Sequence, residues 1–429
     1  MARRFVMAAM AMVVFVGSAA WGVKGREYGF KGSPKDGAAP LGALVSDGAG
    51  NFYGVTYQGG TGPCNNQQGC GTVFKLSRGP GNHWVEEVIY NFTSTNGVVG
   101  PWGPLVMDSQ GNLYGTIAYS GYGSVYKLSP QNGTWTRTTL YSFQNGTDGA
   151  YPATGVIFDT QGNLYGTTNY GGACNDCTGT VFELSPTPSG DWAETTLYDF
   201  ASNELGPSGL AFDIAGNLYG TTYQGGDSQV CGDPYGCGSV FELSQSQDGG
   251  WTKATIYSFN DGLDGGYPSG RVVSDAVGNL YGEATQGGSF ACPGSGCGVV
   301  YELTPQPGGS WKFSVPYTFN GLDGSKGEQP SGGLTLDSMG DLYGTTAEGG
   351  AGDCFSSGFS CGTIFKLSLS GSGRYTFDLI GSFNGADGAF PESGVILDSE
   401  GNIYGNAVEG GDLNCSPPYG CGVVFMLTP

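Results

Sequence analysis

Asp159-Thr160-Gln161-Gly162-Asn163-Leu164-Tyr165-Gly166-Thr167-Thr168 is one of seven near-copies of a single phrase in this chain. Its core, Gly-Asn-Leu-Tyr-Gly, begins at Gly50, Gly111, Gly162, Gly216, Gly278, Gly340 and Gly401, with Phe52, Asp341 and Ile403 as substitutions. The intervals are 61, 51, 54, 62, 62 and 61 residues. A period of this size, rich in β-formers, marks a repeat architecture rather than a catalytic motif.

Reading outward from the third copy gives one complete unit. Residues 154–159 form an apolar strand, a, and 160–163 a tight turn. Residues 163–169 form strand b, followed by a loop carrying two cysteines. Residues 180–184 form strand c, 185–191 a polar loop, and 192–200 strand d. The c strands centre on Val73-Phe74, Val125-Tyr126, Val181-Phe182, Val240-Phe241, Val300-Tyr301, Ile364-Phe365 and Val424-Phe425. The d strands end in Phe30, Phe92, Phe143, Phe200, Phe259, Phe319 and Phe383. After a signal segment the chain begins with a d strand at 27–30 and finishes with a c strand at 423–427. That phase lets the first strand complete the last sheet, which removes the unpaired edges an open array would expose. The expected fold is all-β: a seven-bladed β-propeller of four-stranded blades over 21–429, closed by its N-terminal strand.

The Asp before each turn (Asp47, Asp108, Asp159, Asp213, Asp275, Asp337, Asp398) reads as turn chemistry, since Asp folds back on local N–H groups and Gly supplies positive φ. Tyr53, Tyr114, Tyr165, Tyr219, Tyr281, Tyr343 and Tyr404 read as packing between blades.

The first twenty residues form a separate object. Arg3 and Arg4 precede an apolar run at 5–16, then the small residues Ser18, Ala19 and Ala20. This is the pattern of a secretory signal cleaved after about Ala20. No other stretch is apolar over a membrane-spanning length, and the expected location is extracellular. The net charge of −21, without a basic stripe, argues against nucleic acid as a partner.

Twelve cysteines fall in six close pairs: Cys64/Cys70, Cys174/Cys177, Cys231/Cys237, Cys292/Cys297, Cys354/Cys361 and Cys415/Cys421. Each pair sits between strands b and c of its repeat, and only the second repeat lacks one. Pairs that come and go together in an exported chain read as six local disulfides. The loops they close are short, so they are expected to pin loops more than they hold the fold. Cys174-x-x-Cys177 alone would suit a redox or zinc site, but the equivalent pairs are spaced wider and His83 is the sole histidine. No metal and no cofactor are expected.

The unit Asp-x-x-Gly-Asn-Leu-Tyr-Gly-Thr-Thr, then Gly-Gly, then Gly-Thr-Val-Phe-Lys-Leu, resembles the bacterial GloVer tandem repeat of the choice-of-anchor proteins, over nearly the whole mature chain. The resemblance implies an exported or cell-surface bacterial protein and brings no activity with it. Members end in different surface anchors, and no such anchor is expected in this chain, whose residues up to Pro429 hold none of that pattern.

In an up-and-down blade the b–c and d–a loops share one face, and loops on a rigid scaffold carry function. The d–a loops hold Asp36, Asp148, Asp264, Asp323 and Asp387, with Trp102, Tyr151, Tyr267 and Phe390. The disulfide loops add Tyr235, Phe290, Phe355, Phe359 and Tyr419. The second repeat, reduced to residues 119–123, and the short d–a loop of the fourth, 201–209, leave a low wall at Trp102, Tyr119 and Tyr122. Trp102, Tyr119, Tyr122, Tyr151, Asp148, Asp264, Tyr267, Asp323 and Asp387 are therefore the candidate ligand contacts, with no catalytic residue assigned. The expected activity is non-catalytic binding of an extracellular polysaccharide or surface protein. A glycosidase or lyase using paired carboxylates is the alternative, because such acids leave no local signature. A structural surface protein is the third reading.

Overall fold

The computed structural model describes residues 22–64, 68–93, 100–174, 176–246, 248–289, 291–292, 296–321, 326–350, 354–355 and 360–428, with backbone alone at 22–26, 82 and 230. The signal segment 1–20, Asp323, Phe290 and Phe359 lie outside the described residues.

Seven antiparallel sheets form a ring. Blades one to six span 37–91, 101–142, 156–199, 211–258, 266–318 and 328–382, each in the order a-b-c-d from the axis outward. In blade three the strands are Val156–Phe158, Leu164–Thr167, Thr180–Pro186 and Trp192–Asp199, within a few residues of the expected bounds. Blade six divides its inner strand into Glu328–Pro330 and Thr335–Leu336. A single helical turn, Ser228–Cys231, sits in the disulfide loop of blade four, where the Asp227 side chain caps it.

Blade seven is built from both ends of the chain. Ile396–Leu397, Ile403–Ala407 and Val423–Thr428 supply three strands, and the N-terminal strand Gly22–Gly29 supplies the fourth. Val23 faces Leu427 and Gly29 faces Val423 across the ladder. The closing strand is longer than the sequence pattern indicates, because residues 22–26 lack the apolar alternation that marks a strand in the sequence.

The repeated phrase now has a physical reason at each position. Asp108 accepts bonds at Oδ1 from the Gln110 and Asn112 N–H groups, both at 2.9 Å. Its Oδ2 accepts from Asn112 Nδ2 at 2.7 Å and from the Tyr114 hydroxyl at 3.0 Å. Gly111 holds the turn at φ +79, a conformation that side-chain-bearing residues rarely adopt. Leu113 and Tyr114 are buried, and Tyr114 meets Phe158 of the next blade edge-on at 5.0 Å. The second glycine clears the c-strand aromatic: a Cβ on Gly166 would sit 2.6 Å from the Phe182 ring.

The seams between blades are as regular as the blades. Each d-strand Phe meets the c-strand aromatic of the following blade edge to face. The seven contacts are Phe30–Phe74, Phe92–Tyr126, Phe143–Phe182, Phe200–Phe241, Phe259–Tyr301, Phe319–Phe365 and Phe383–Phe425, all at 5.1–5.3 Å. Edge-to-face pairs at this distance add to simple area burial. The two seams flanking blade seven match the other five, so closure leaves no weak joint in this layer.

Candidate functional site

All six expected disulfides are formed, and no free cysteine remains among the described residues. They rim one face of the ring, and most of their side chains are also buried in the core. Cys70, Cys297 and Cys361 are fully buried, and Cys64, Cys237, Cys292, Cys354 and Cys421 are buried with them. Cys70 lies in one apolar cluster with Phe92, Cys297 in another with Phe319, and Cys361 in a third with Phe383. In five of the six pairs the second cysteine stands one glycine before strand c, as in Cys70-Gly71-Thr72 and Cys361-Gly362-Thr363. Its side chain therefore enters the core with that strand. These cysteines are structural, and Cys421 also forms part of the wall of the cavity that holds Glu409. Cys174 is exposed, at the edge of the shortest disulfide loop.

The disulfides are also tied to the mouth of the ring. The residue before the inner-strand proline is left-handed in five blades: Ala39, Tyr151, Tyr267, Gln329 and Phe390, at φ +52 to +58. In four of them its N–H donates to the carbonyl of the preceding blade's second cysteine. Ala39 donates to Cys421 at 3.0 Å, Tyr267 to Cys237 at 2.7 Å, Gln329 to Cys297 at 3.1 Å and Phe390 to Cys361 at 3.0 Å. In blade three Tyr151 donates instead to Tyr122 at 2.8 Å, since blade two has no disulfide. Non-glycine residues held at positive φ are strained positions that the surrounding structure must enforce.

Four of the nine residues expected from sequence gather at one place. Trp102 packs on Tyr119 at 5.5 Å, Tyr119 on Tyr151 at 5.7 Å, and Tyr122 on Tyr151 at 6.4 Å. The arc extends at both ends to residues the sequence reading passed over, Tyr57 beside Trp102 at 5.2 Å and Tyr170 beside Tyr151 at 5.5 Å. Tyr119, Tyr122 and Tyr170 keep 45%, 44% and 58% of their surface open to solvent. Tyr267 belongs to a second group, packed on Tyr223 and donating its hydroxyl to Asp233 at 2.9 Å.

The loop aspartates are placed differently. Asp148 is buried; it accepts from the Gln144 N–H at 2.7 Å, the Gly146 N–H at 3.1 Å and the Tyr141 hydroxyl at 3.1 Å. Asp264 accepts from the Asn260 N–H and the Tyr257 hydroxyl, and Asp387 from the Asn384 N–H. These three clamp their own loops. In the short loop of the fourth repeat, Glu204 has the same role, accepting from Tyr198 and pairing with Lys253.

Glutamates supply the available acid. Glu409 and Trp102, with Tyr57, Gln58 and Tyr419, line a cavity of about 350 Å³ where blades seven, one and two meet. Glu409 Oε2 is buried without a hydrogen-bond partner. Burial raises its pKa, and the nearby Glu392 raises it further. Glu392 follows Pro391 in blade seven as Trp102 follows Pro101 in blade two, two blades away around the inner wall. Its side chain stays open to solvent while the enclosing protein raises its pKa. In blade six Glu328 and Glu348 face each other across the ladder, and burial and then Glu348 raise the Glu328 pKa. The face therefore pairs an aromatic arc over blades one to three with carboxyls over six and seven. Among the described residues no group of three or more acids, cysteines or histidines could hold a metal ion, and no helix is long and apolar enough to cross a membrane.

The profile of the Gloeobacter/Verrucomicrobia repeat matches residues 23–232 and 195–425. A search of curated proteins finds no match. Among solved structures, a protein from Lactobacillus plantarum is 13% identical, with TM-score 0.49, over 82% of this chain and 94% of that one. A gluconolactonase from Xanthomonas campestris is 13% identical, with TM-score 0.41, over 76% and 84%. A sialidase from Streptococcus pneumoniae is 11% identical, with TM-score 0.41, over 94% and 70%. Likeness at this level carries no argument about activity.

Proposed function

This chain belongs to the Gloeobacter/Verrucomicrobia repeat family, and from that premise we propose that it is an exported, non-catalytic binding protein whose disulfide-loop face takes an extracellular glycan. The observation that carries this reading is the continuous arc from Tyr57 through Trp102, Tyr119 and Tyr151 to Tyr170, ending at the cavity that holds Glu409. Aromatic faces pack on the C–H faces of sugar rings, and the carboxyl and amide groups of Glu409 and Gln58 suit hydroxyls. The six disulfides suit an oxidising compartment. Asp148, Asp264 and Asp387 support the face by holding loops. A glycan array with a parallel product assay tests the reading: retention without product release supports it, and retention of a protein ligand with no glycan bound overturns it.

One observation favours a second reading. Glu392 and Glu409 interact, and burial raises the pKa of each, so that one of the two can hold the proton a general acid needs while the other ionises. A carbohydrate-active enzyme of this kind releases new reducing ends or unsaturated sugars, and Glu409→Gln abolishes that release.

A further inference from the structure

The axial channel changes character toward the opposite face. A cavity of about 440 Å³ is lined there by Ile157, Leu210, Phe212, Arg271 and Leu336, among others. These residues come from the inner strands of blades three to six, which share one space only at the axis. Volumes of this order are typical of small-molecule sites. Arg271 is the one charged residue in the lining. Among the described residues its guanidinium makes no ion pair and no hydrogen bond. It occupies the bulge of its inner strand, where the register places Ala43 in blade one and Pro104 in blade two. Its surface is open to the channel, yet enclosure by the ring lowers its pKa.

The turns that leave these strands add a second observation. Ile214, Val277 and Met339, in blades four to six, are 101%, 77% and 72% exposed at the turn tips. The corresponding turns of the other four blades carry Gly48-Ala49, Ser109-Gln110, Thr160-Gln161 and Ser399-Glu400. Apolar tips thus stand on the same side of the ring as the apolar cavity. These side chains stand singly on three neighbouring blades, and what they add is apolar surface on the side where the cavity opens. In a chain of net charge −21, a bare anion has little reason to stay. An anion with an apolar tail gains from burial as well as from the guanidinium.

We propose that the turn-side half of the channel binds a single-chain amphipathic anion, an acyl chain ending in a carboxylate, with the head group on Arg271 and the chain along the inner strands of blades three to six. This site is separate from the glycan-binding face and stands independently of that reading.

Calorimetric titration of the intact protein with dodecanoate, dodecanol and inorganic phosphate tests it. The wild type is expected to bind dodecanoate at least tenfold more tightly than dodecanol and to show no measurable binding of phosphate. Arg271→Gln is expected to weaken dodecanoate at least tenfold while leaving dodecanol unchanged, and Arg271→Lys to restore part of the loss. Ile214→Ser, at a fully exposed tip, reports on the chain without touching the fold and is expected to weaken dodecanoate two- to threefold. The proposal is overturned by absence of dodecanoate binding to the wild type or by equal binding to wild type and Arg271→Gln. It is equally overturned if phosphate competes at the same concentration as dodecanoate, or if the protein binds only phospholipid vesicles. If Arg271→Gln does not fold, unchanged affinities in Arg271→Lys and Ile214→Ser together overturn it.

Discussion

Truncating Phe30 to alanine tests whether the ring is closed as firmly as it is built elsewhere. Phe30 is fully buried; it meets Phe74 of blade one at 5.1 Å and Tyr28 at 5.3 Å, and its N–H donates to Gly422 at 3.0 Å. Phe200, in the middle of the chain, is fully buried in the equivalent seam against Phe241 at 5.3 Å. Removing a buried phenylalanine loses its transfer energy and leaves a partly unrelaxed cavity, about 3–5 kcal/mol in all. The backbone bonds of Gly22–Gly29 survive the change. Phe30→Ala should therefore lower the denaturant midpoint by as much as Phe200→Ala, with the same slope in both. Urea titration followed by tryptophan fluorescence measures this. A loss below about 1 kcal/mol for Phe30→Ala beside the full loss for Phe200→Ala would refute the closure argument, because it would mean that the N-terminal strand frays from blade seven before the ring melts.

Gly166→Ala should destabilise by about 1–3 kcal/mol by pressing on the Phe182 ring, whereas Gly371→Ala, with open space around its Cβ, should change the urea midpoint little. Glu283 is fully buried; its Oε2 accepts from the Gly333 N–H at 2.8 Å, its Oε1 has no partner, and burial raises its pKa to about 8. A carboxyl that holds its proton longer in the folded state loses stability as pH rises from the unfolded value of 4.5 toward 8. Thermal melts of Glu283→Gln should show a flatter decline over that window, with the remainder shared by the other raised carboxyls, among them Glu86, also raised to about 8 by burial and then by Asp36. Reducing the six disulfides should accelerate amide exchange at Tyr267, Gln329 and Phe390, whose N–H groups bond the carbonyls of Cys237, Cys297 and Cys361, and leave exchange in the c strands slow; equal acceleration in both places contradicts the separation of rim and ring.

How far the sequence carries depends on distance along the chain. The turn, its Asp, the buried Tyr and the paired cysteines are local, repeat seven times or nearly so, and are legible from periodicity. So is closure, because it depends only on starting with strand d and ending with strand c. The pairing of the cysteines is legible from their spacing, but the burial of Cys70, Cys297 and Cys361 is not, since it depends on the d-strand Phe that shares their cluster. The face of the site follows from loop order. Trp102, Tyr119, Tyr122 and Tyr151 come together because they surround one shortened loop. Tyr57 and Tyr170 sit at the ends of b strands, where they look like further strand aromatics. Glu409 comes to the same cavity as Trp102 only through ring closure, and Asn406, which donates to the Gly42 carbonyl at 2.9 Å, lies 364 residues from it in sequence. The loop aspartates mislead for a different reason: Asp-Gly gives the loop but not its inward-facing hydroxyl partner, Tyr141 or Tyr257. Glu204, in the same role without the Asp-Gly signature, has no sequence signal that could have revealed it.

The central claim is that the aromatic arc binds glycan without cleaving it. The most direct measurement is retention of wild type and Trp102→Ala on the polysaccharide selected by an array, with the eluate assayed for new reducing ends and unsaturated sugars. The account predicts retention of the wild type, a loss of about 1–3 kcal/mol in Trp102→Ala from missing stacking, and no products from either. Product release by the wild type, or retention that ignores Trp102 and disappears when the c–d loops are altered, would contradict it.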